Sequence, residues 1–426
     1  MKSNKLKNGI LNNVSWLILD KILILFLQFF VGVKIANYYG KEIYGEYSYA
    51  MAIVGFSPII LEMVNSRIVK EFYEVNFSKT VSTVTTFKNL LSIIIFIITI
   101  LTYPLFKEEK LFYLILILLT LDNVLLSMTT GIENYFEYKL LSKNIVISNN
   151  IVKISSYFLQ YIGIVLKCSI LIIPIIRIVG SCLRVLLLKK FYNDIFKEKI
   201  KFELDRKLIK KILNLSKYLW ISFVSYIIAT QTDKIMLGKI LGMKDVGVYV
   251  IATQLISVLT ILITPVQTSL YPKLLNLFKN NYKEYISFYK KYTTIITYVY
   301  LFGIGLSILV VKKLFHNIFS QEYSGAVEIY IYLTIGIFFR ANSFLRSTHV
   351  TLTRNTQLIL ISEIVSMIFN VILNYILIRR LGVKGAAIAT SITQIISLWG
   401  VDLFSKEGRE ILKYQISGFN IKNIFN

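Results

Sequence analysis

Acidic side chains are scarce: 24 Asp and Glu stand against 48 Lys and Arg, leaving a net charge of +24 on 426 residues. Charged residues of both signs make up only 17% of the chain, where soluble domains carry about 25%. The two cysteines, Cys168 and Cys182, lie 14 residues apart on one predicted helix, roughly 21 Å along its axis, so they cannot form a disulfide with each other. The two histidines, His316 and His349, fall at predicted helix ends and support neither a His metal site nor a His-based triad. No segment has the G-x-x-x-x-G-K-[ST] spacing of an ATP-binding loop, and no D-x-D acidic pair occurs. Nucleotide-driven transport and metal-assisted glycosyl transfer therefore have no footing within this chain.

What is abundant is apolar. Hydrophobic residues reach 55% by count and the mean hydropathy is +0.63, which points to the bilayer as solvent. A spanning helix needs about 20 mostly apolar residues. Twelve such runs are predicted, at about 14–36, 44–65, 84–104, 111–131, 145–166, 169–188, 212–236, 246–270, 292–311, 327–348, 357–378 and 384–404. The expected class is an all-α multi-pass membrane protein with an N-lobe at 1–188, a basic linker at 189–211, a C-lobe at 212–404 and a tail at 405–426. The first span is too long for a cleaved leader.

The N-terminus, the even-numbered gaps and the tail hold 27 Lys and Arg, and the odd-numbered gaps hold 11, counting Lys384 at the edge of the last span. By the positive-inside rule both termini are expected to be cytoplasmic. The charge thus sets topology and implies no nucleic acid. Gap 189–211 has nine basic residues alternating with Phe and Ile. It reads as a topology signal on anionic lipid, with docking of a cytoplasmic partner as the alternative. No gap is long enough for a folded extramembrane domain.

Residues 40–50, GKEIYGEYSYA, and 242–252, GMKDVGVYVIA, share G-x4-G-x-Y-x2-A at an offset of 202. Gly40, Gly45, Tyr47 and Ala50 align with Gly242, Gly247, Tyr249 and Ala252. Both copies lie after an odd span, six spans apart, so the repeat is parallel, with an axis along the membrane normal. The glycines suit a tight turn with close backbone approach, and the tyrosines read as interfacial anchors.

Beyond the first three positions of the spans lie ten cations and six anions. Each costs a few kcal/mol at the bilayer centre, so deep ones face protein or water. Lys34, Lys88, Arg184, Lys217 and Arg346 are close enough to helix ends to snorkel; Arg177, Arg340, Lys153, Asp122 and Glu363 are deeper. Asn149, Lys153, Ser156 and Gln160 share one helix face, as do Glu363, Ser366, Asn370 and Asn374, with Lys21 and Gln28 forming a further stripe. Such stripes line a hydrated cavity or join packed helices. A net of +4 favours an anionic cargo, and the amides suit sugar hydroxyls.

QTDKIMLGKILGMKDVGVYVIATQL at 231–255, ANYYGKEIYGEYSYA at 36–50 and NVILNYILIRRLGVKGAAIATSITQ at 370–394 resemble segments of the polysaccharide-exporter family. These are the Wzx-type O-antigen and repeat-unit flippases, in the wider MOP superfamily with multidrug antiporters and the lipid II flippase. The resemblance implies a two-lobed transporter of the bacterial inner membrane, without enzymatic activity. By alternating access it would carry an undecaprenyl-diphosphate-linked oligosaccharide of O-antigen or capsule biosynthesis, with a polysaccharide polymerase as partner. On that reading Arg177, Arg340, Lys153 and Lys21 hold diphosphate or acidic sugars, while Asn149, Gln160, Asn370 and Asn374 meet hydroxyls. Asp20, Asp122, Asp233 and Glu363 are the candidates for H⁺ or Na⁺ coupling, and no other cofactor is expected. A cation-coupled multidrug antiporter is the alternative, against which the basic interior argues.

Overall fold

The structure is a computed structural model. It describes the backbone of residues 2–106, 109–197, 200–260, 263–355 and 357–425, and side chains from Ile24 onward except at 75, 105–106, 264–265, 268–269 and 344. No strand occurs among the described residues. In hydrocarbon no water is available to peptide groups, so a spanning segment must bond its own N–H and C=O groups, as a helix does.

Nine helical runs among the described residues are long and apolar enough to cross a membrane. Among the described residues each of the twelve predicted spans is mostly helical. The first two fall in the single run Ile24–Phe72, because α1 (Lys2–Val54) is two helices that follow one another without a loop across a kink at Gly40, where φ is 77° and ψ 165°. The spans predicted at 145–166 and 169–188 are α7 (Ser142–Val165) and α8 (Ile172–Phe196), described below. At 24 and 25 residues they have the length; the polar and basic side chains they carry keep them out of the nine.

The chain divides into two compact units. One comprises Phe30–Tyr39 and Glu46–Gln231. After α1 it holds α2 (Ser57–Leu61), opened by Pro58, and α3 (Ser66–Val69), capped by Asn65. Next come α4 (Tyr73–Leu101), α5 (Lys110–Ser127) and α6 (Thr130–Tyr138). Helices α7 and α8 follow, then the first part of α9 (Arg206–Ile240). Its core joins Val81, Val84, Ile132, Phe136, Leu188, Tyr192 and Ile212. The chain leading into α9 is pinned to α4: Lys201 N donates to Ser82 Oγ and Asp205 N to Thr83 Oγ1, at 3.2 and 3.3 Å. A hydrogen bond from Lys79, with backbone N–H donors of α9, holds the Asp205 carboxyl down to about 2.

The other unit comprises Met1–Phe29, Gly40–Gly45 and Thr232–Asn426. It contains α10 (Met243–Thr260), α11 (Ile263–Asn280), α12 (Tyr282–Ile318), α13 (Gly325–Asn342) and α14 (Phe344–Leu352). Then come α15 (Gln357–Leu381), α16 (Val383–Ile395) and, after a π-turn at Ile396–Gly400, α17 (Lys406–Ile416). Helix α13 packs on α10, α12 and α16, and α15 on α16. The segment predicted as a tail is folded onto the bundle: Gly408, Ile411, Gln415 and Gly418 are buried.

Inside this unit the two repeat copies cross. A methyl group on Gly45 would sit 1.8 Å from Met243 O, and one on Gly247 would sit 2.2 Å from Lys41 O. Residue 45 corresponds to 247 and 41 to 243 at the repeat offset of 202, so each glycine meets the equivalent carbonyl of the other copy. Glu42 and Lys244, also equivalent positions, form an ion pair of 3.3 Å. The crossing is therefore a local two-fold contact between copies, made possible by absent side chains.

Gly45→Ala and Gly247→Ala are each expected to lower the thermal unfolding midpoint in detergent, because overpacking of about 1–3 kcal/mol or more falls on rigid backbone. Gly303→Ala in α12, where nothing lies within 4 Å, is expected to leave the midpoint unchanged or raise it slightly, by the helix preference of about 0.5–1 kcal/mol.

Candidate functional site

In the unit containing Glu46–Gln231, α8 aims Arg177 at Asp122 of α5. Nη2 and Nε lie 3.0 and 3.2 Å from Oδ2, and Ser181 donates to Oδ1. The Tyr47 phenol is a further hydrogen-bonding neighbour of Arg177. Asp122 is almost wholly buried while the Arg177 side chain keeps 34% of its surface. Asp122, a candidate for ion coupling, is occupied by these donors.

Two turns along α8, Arg184 binds Glu133 at 2.8 Å, Asn149 Oδ1 at 2.7 Å and Thr129 Oγ1 at 3.1 Å. Asn149 thus meets a guanidinium of its own chain. Arg184 and Lys88 do not snorkel: Lys88 is 1% exposed and pairs with Glu62 at 2.7 Å. Lys34 and Lys217 are exposed and lean over Phe30 and Tyr218, as snorkelling side chains do. On α7, Lys153 is exposed and Gln160 buried, so the predicted stripe spans two environments. Lys153 has no carboxylate within 4 Å among the described residues.

In the other unit Asp233 of α9 is 5% exposed. Tyr249 OH and Thr390 Oγ1 donate to Oδ2, and Asn374 Nδ2 to Oδ1, each at 2.7 Å. Asn374 Nδ2 also reaches Asn370 O at 2.9 Å. Asn370 and Asn374 are buried, and their Oδ1 atoms have no donor. Buried amide oxygens without donors are costly. A carboxylate bonded to Asn374, with two amide oxygens of the same helix left without donors, is acceptor-rich, and a single negative charge with neutral oxygens is the chemistry of a monovalent-cation site.

The same unit holds a fully buried bidentate pair. Arg346 Nε and Nη2 contact Asp402 Oδ2 and Oδ1 at 2.8 and 2.6 Å, and Nη2 also donates to Ser362 Oγ at 2.8 Å. Arg346 therefore turns inward and does not snorkel. Beside it Tyr285 OH shares a 2.7 Å hydrogen bond with His349 Nδ1, which places His349 in a buried aromatic cluster. Arg340 of α13 is exposed and has no carboxylate within 4 Å among the described residues; Glu363 lies within its electrostatic reach. Asp20 and Lys21 lie outside the residues whose side chains are described.

Sequence reading passed over Tyr249, Thr390 and Ser181 as site residues. Tyr249, read as an interfacial anchor, is 1% exposed and bonded to Asp233. The available signal was its place in the repeat: its counterpart Tyr47 also reaches a charged side chain.

The helical arrangement is that of membrane transporters of the MOP superfamily. The chain superposes on an inward-facing multidrug resistance transporter of the MATE family with a TM-score of 0.71, covering 94% of this chain and 99% of that one at 13% identity. It superposes on the lipid II flippase MurJ in an inward closed conformation with a TM-score of 0.69, covering 94% and 90% at 20% identity. At these identities the fold is what is shared. Residues 10–278 match the family described as polysaccharide biosynthesis protein, well over half the chain, which belongs to that family as a multi-pass membrane protein. It is also similar to the probable low-salt glycan biosynthesis flippase Agl15 of Haloferax volcanii, 27% identical over 195 residues. That match covers 43% of this chain and 39% of the relative, well under two thirds of the latter's length.

Removing one partner of a buried ion pair leaves the other charge uncompensated. Asp402→Asn or Arg346→Met alone is expected to destabilise by about 3–5 kcal/mol. The double variant Arg346→Met/Asp402→Leu is expected to recover most of that loss, as read by thermal unfolding of the detergent-solubilised protein.

Proposed function

We propose that this protein is a flippase that moves a lipid-linked oligosaccharide bearing negative charge across a membrane. Undecaprenyl-diphosphate-linked repeat units of O-antigen or capsule, at the bacterial inner membrane, fit the family and the basic interior. The observation that carries the reading is that Lys153 and Arg340, deep in predicted spans, are exposed and lack a carboxylate partner among the described residues. Arg184, Lys88 and Arg346 are neutralised within the protein, and Arg177 partly so. A cation left unpaired at that depth needs water or an anionic ligand. In one unit Lys153 and Arg177, and in the other Arg340 with Lys21 in support, are the cations that take the diphosphate or acidic sugars by charge-assisted hydrogen bonds, and Gln160 meets hydroxyls. The polyprenyl chain stays in lipid, so only the head group needs a polar path, and a polysaccharide polymerase consumes the product.

In this scheme Asp233, Asn370, Asn374 and Thr390 hold the coupling ion. The two orphaned amide oxygens favour Na⁺ over a proton, which would satisfy a single acceptor. Ion occupancy then biases alternating access, for which the repeated halves provide two equivalent arrangements. The transport reading assigns no reacting group to these residues.

Arg340→Gln with Lys153→Gln is expected to cut translocation of lipid-linked oligosaccharide about tenfold or more at unchanged expression, from the loss of one or more charge-assisted bonds. Accumulation of inner-leaflet precursor in a deletion strain complemented with the variant measures this. Increased drug susceptibility with normal precursor levels would instead show a multidrug antiporter.

Sodium chloride is expected to raise the unfolding midpoint of the wild-type protein relative to an equal concentration of choline chloride, and to leave Asp233→Asn unmoved. An equal response in both proteins sinks the assignment of the ion to Asp233.

A further inference from the structure

The last predicted span is followed at once by a folded segment that the transport reading leaves unused. Asp402, locked to Arg346, ends the span. Ser405 then caps α17 by accepting from Gly408 N at 2.9 Å, and three contacts fasten the segment to the bundle. Gln415 Nε2 donates to Ser343 Oγ at 2.9 Å, Tyr298 OH donates to Phe419 O at 3.0 Å, and Asn423 Nδ2 donates to Thr294 Oγ1 at 3.3 Å. Gly418 is seated where a methyl group would come within 2.6 Å of Thr297 Oγ1.

These contacts fix its depth. The residues gripped on α12, Thr294, Thr297 and Tyr298, lie at the start of the span predicted at 292–311, and the segment begins where the span predicted at 384–404 ends. Two independent span boundaries therefore place it at one membrane surface. There its outward side combines large exposed apolar groups, Phe404 at 88% and Phe425 at 83%, with Ile416 and Ile421, and the exposed cations Lys406, Arg409, Lys413 and Lys422. The charges on α17 are sorted. At roughly 100° per residue, Arg409, Lys413 and Lys406 fall within about 60° of arc beside Leu412 and Ile416. Glu407 and Glu410 lie on the other flank, and Gly408, Ile411 and Gln415 face the protein.

We propose that the outward flank of residues 403–425 is a docking surface for anionic phospholipid headgroups, which clamp the segment between bundle and bilayer. Phe404, Ile416 and Phe425 enter the acyl boundary while Lys406, Arg409, Lys413 and Lys422 meet lipid phosphates, the arrangement of an interfacial amphipathic helix. The acidic flank is left to water. This inference concerns lipid and holds whatever the cargo is.

The full-length protein in nanodiscs of phosphatidylcholine alone, and of phosphatidylcholine mixed with phosphatidylglycerol, tests it by hydrogen–deuterium exchange of residues 406–425. Exchange is expected to slow about tenfold with phosphatidylglycerol, and the gain to shrink as salt is raised. The triple variant Lys406→Gln/Arg409→Gln/Lys413→Gln is expected to exchange like wild type in phosphatidylcholine and to lose the gain. Equal exchange of wild type in both lipids, or a gain that survives high salt, overturns the proposal independently of whether the variant folds. Protection that appears only when other membrane proteins are co-reconstituted also overturns it, in favour of a protein partner.

Discussion

A charge taken out of water must be met by another charge, a set of donors or a ligand, and this constraint organises the interior of the protein. The hydrocarbon offers nothing, so the twelve predicted spans can carry ionisable side chains only where the neighbouring helix answers them. Arg346 is answered by Asp402 and Ser362, Arg184 by Glu133, Asn149 and Thr129, and Lys88 by Glu62. Each such pair fixes a helix to a partner distant in sequence: 56 residues separate Arg346 from Asp402, and 55 separate Arg177 from Asp122. Polar interactions thus choose which apolar surfaces pack together, while the apolar surfaces themselves fit many arrangements.

Asp233 obeys the same constraint by another route. Its answer is three hydroxyl and amide donors. Satisfying the carboxylate with Asn374 Nδ2 turns that residue's own oxygen away unsatisfied, and Asn370 repeats the deficit one turn earlier. Leucine at both positions would have avoided this, so the two unsatisfied oxygens are an acceptor surplus that apolar packing does not require.

Much of this was legible in advance, for identifiable reasons. Continuous runs such as Ser92–Leu101 leave no doubt about the solvent, and hydropathy places the spans. The repeat at an offset of 202 pointed to a close backbone approach at its glycines, because a side chain missing from both copies has a steric meaning, but that the approach is of one copy to the other came only from the fold. Helix α11 was not separated from the span at 246–270: its mixed sequence, with Pro272 inside it, has too weak an apolar run to stand alone. The segment after residue 404 looked like a solvated tail because its apolar residues are spaced for a helix face and never form a run. The face shared by Asn370 and Asn374 was visible, but periodicity says which side chains align and not what confronts them; only the fold brings Asp233 and Thr390 there. Lys88 was misplaced since hydropathy cannot tell a terminus that reaches outward from one that finds Glu62.

Helix α9 runs unbroken from Arg206 to Ile240, and the boundary between the two compact units falls inside it, at Gln231 and Thr232. At about 1.5 Å per residue it is a rod of roughly 50 Å. Hydrogen-bonded turns resist stretching, so the helix itself has a spring constant where a loop of 35 residues would have had slack.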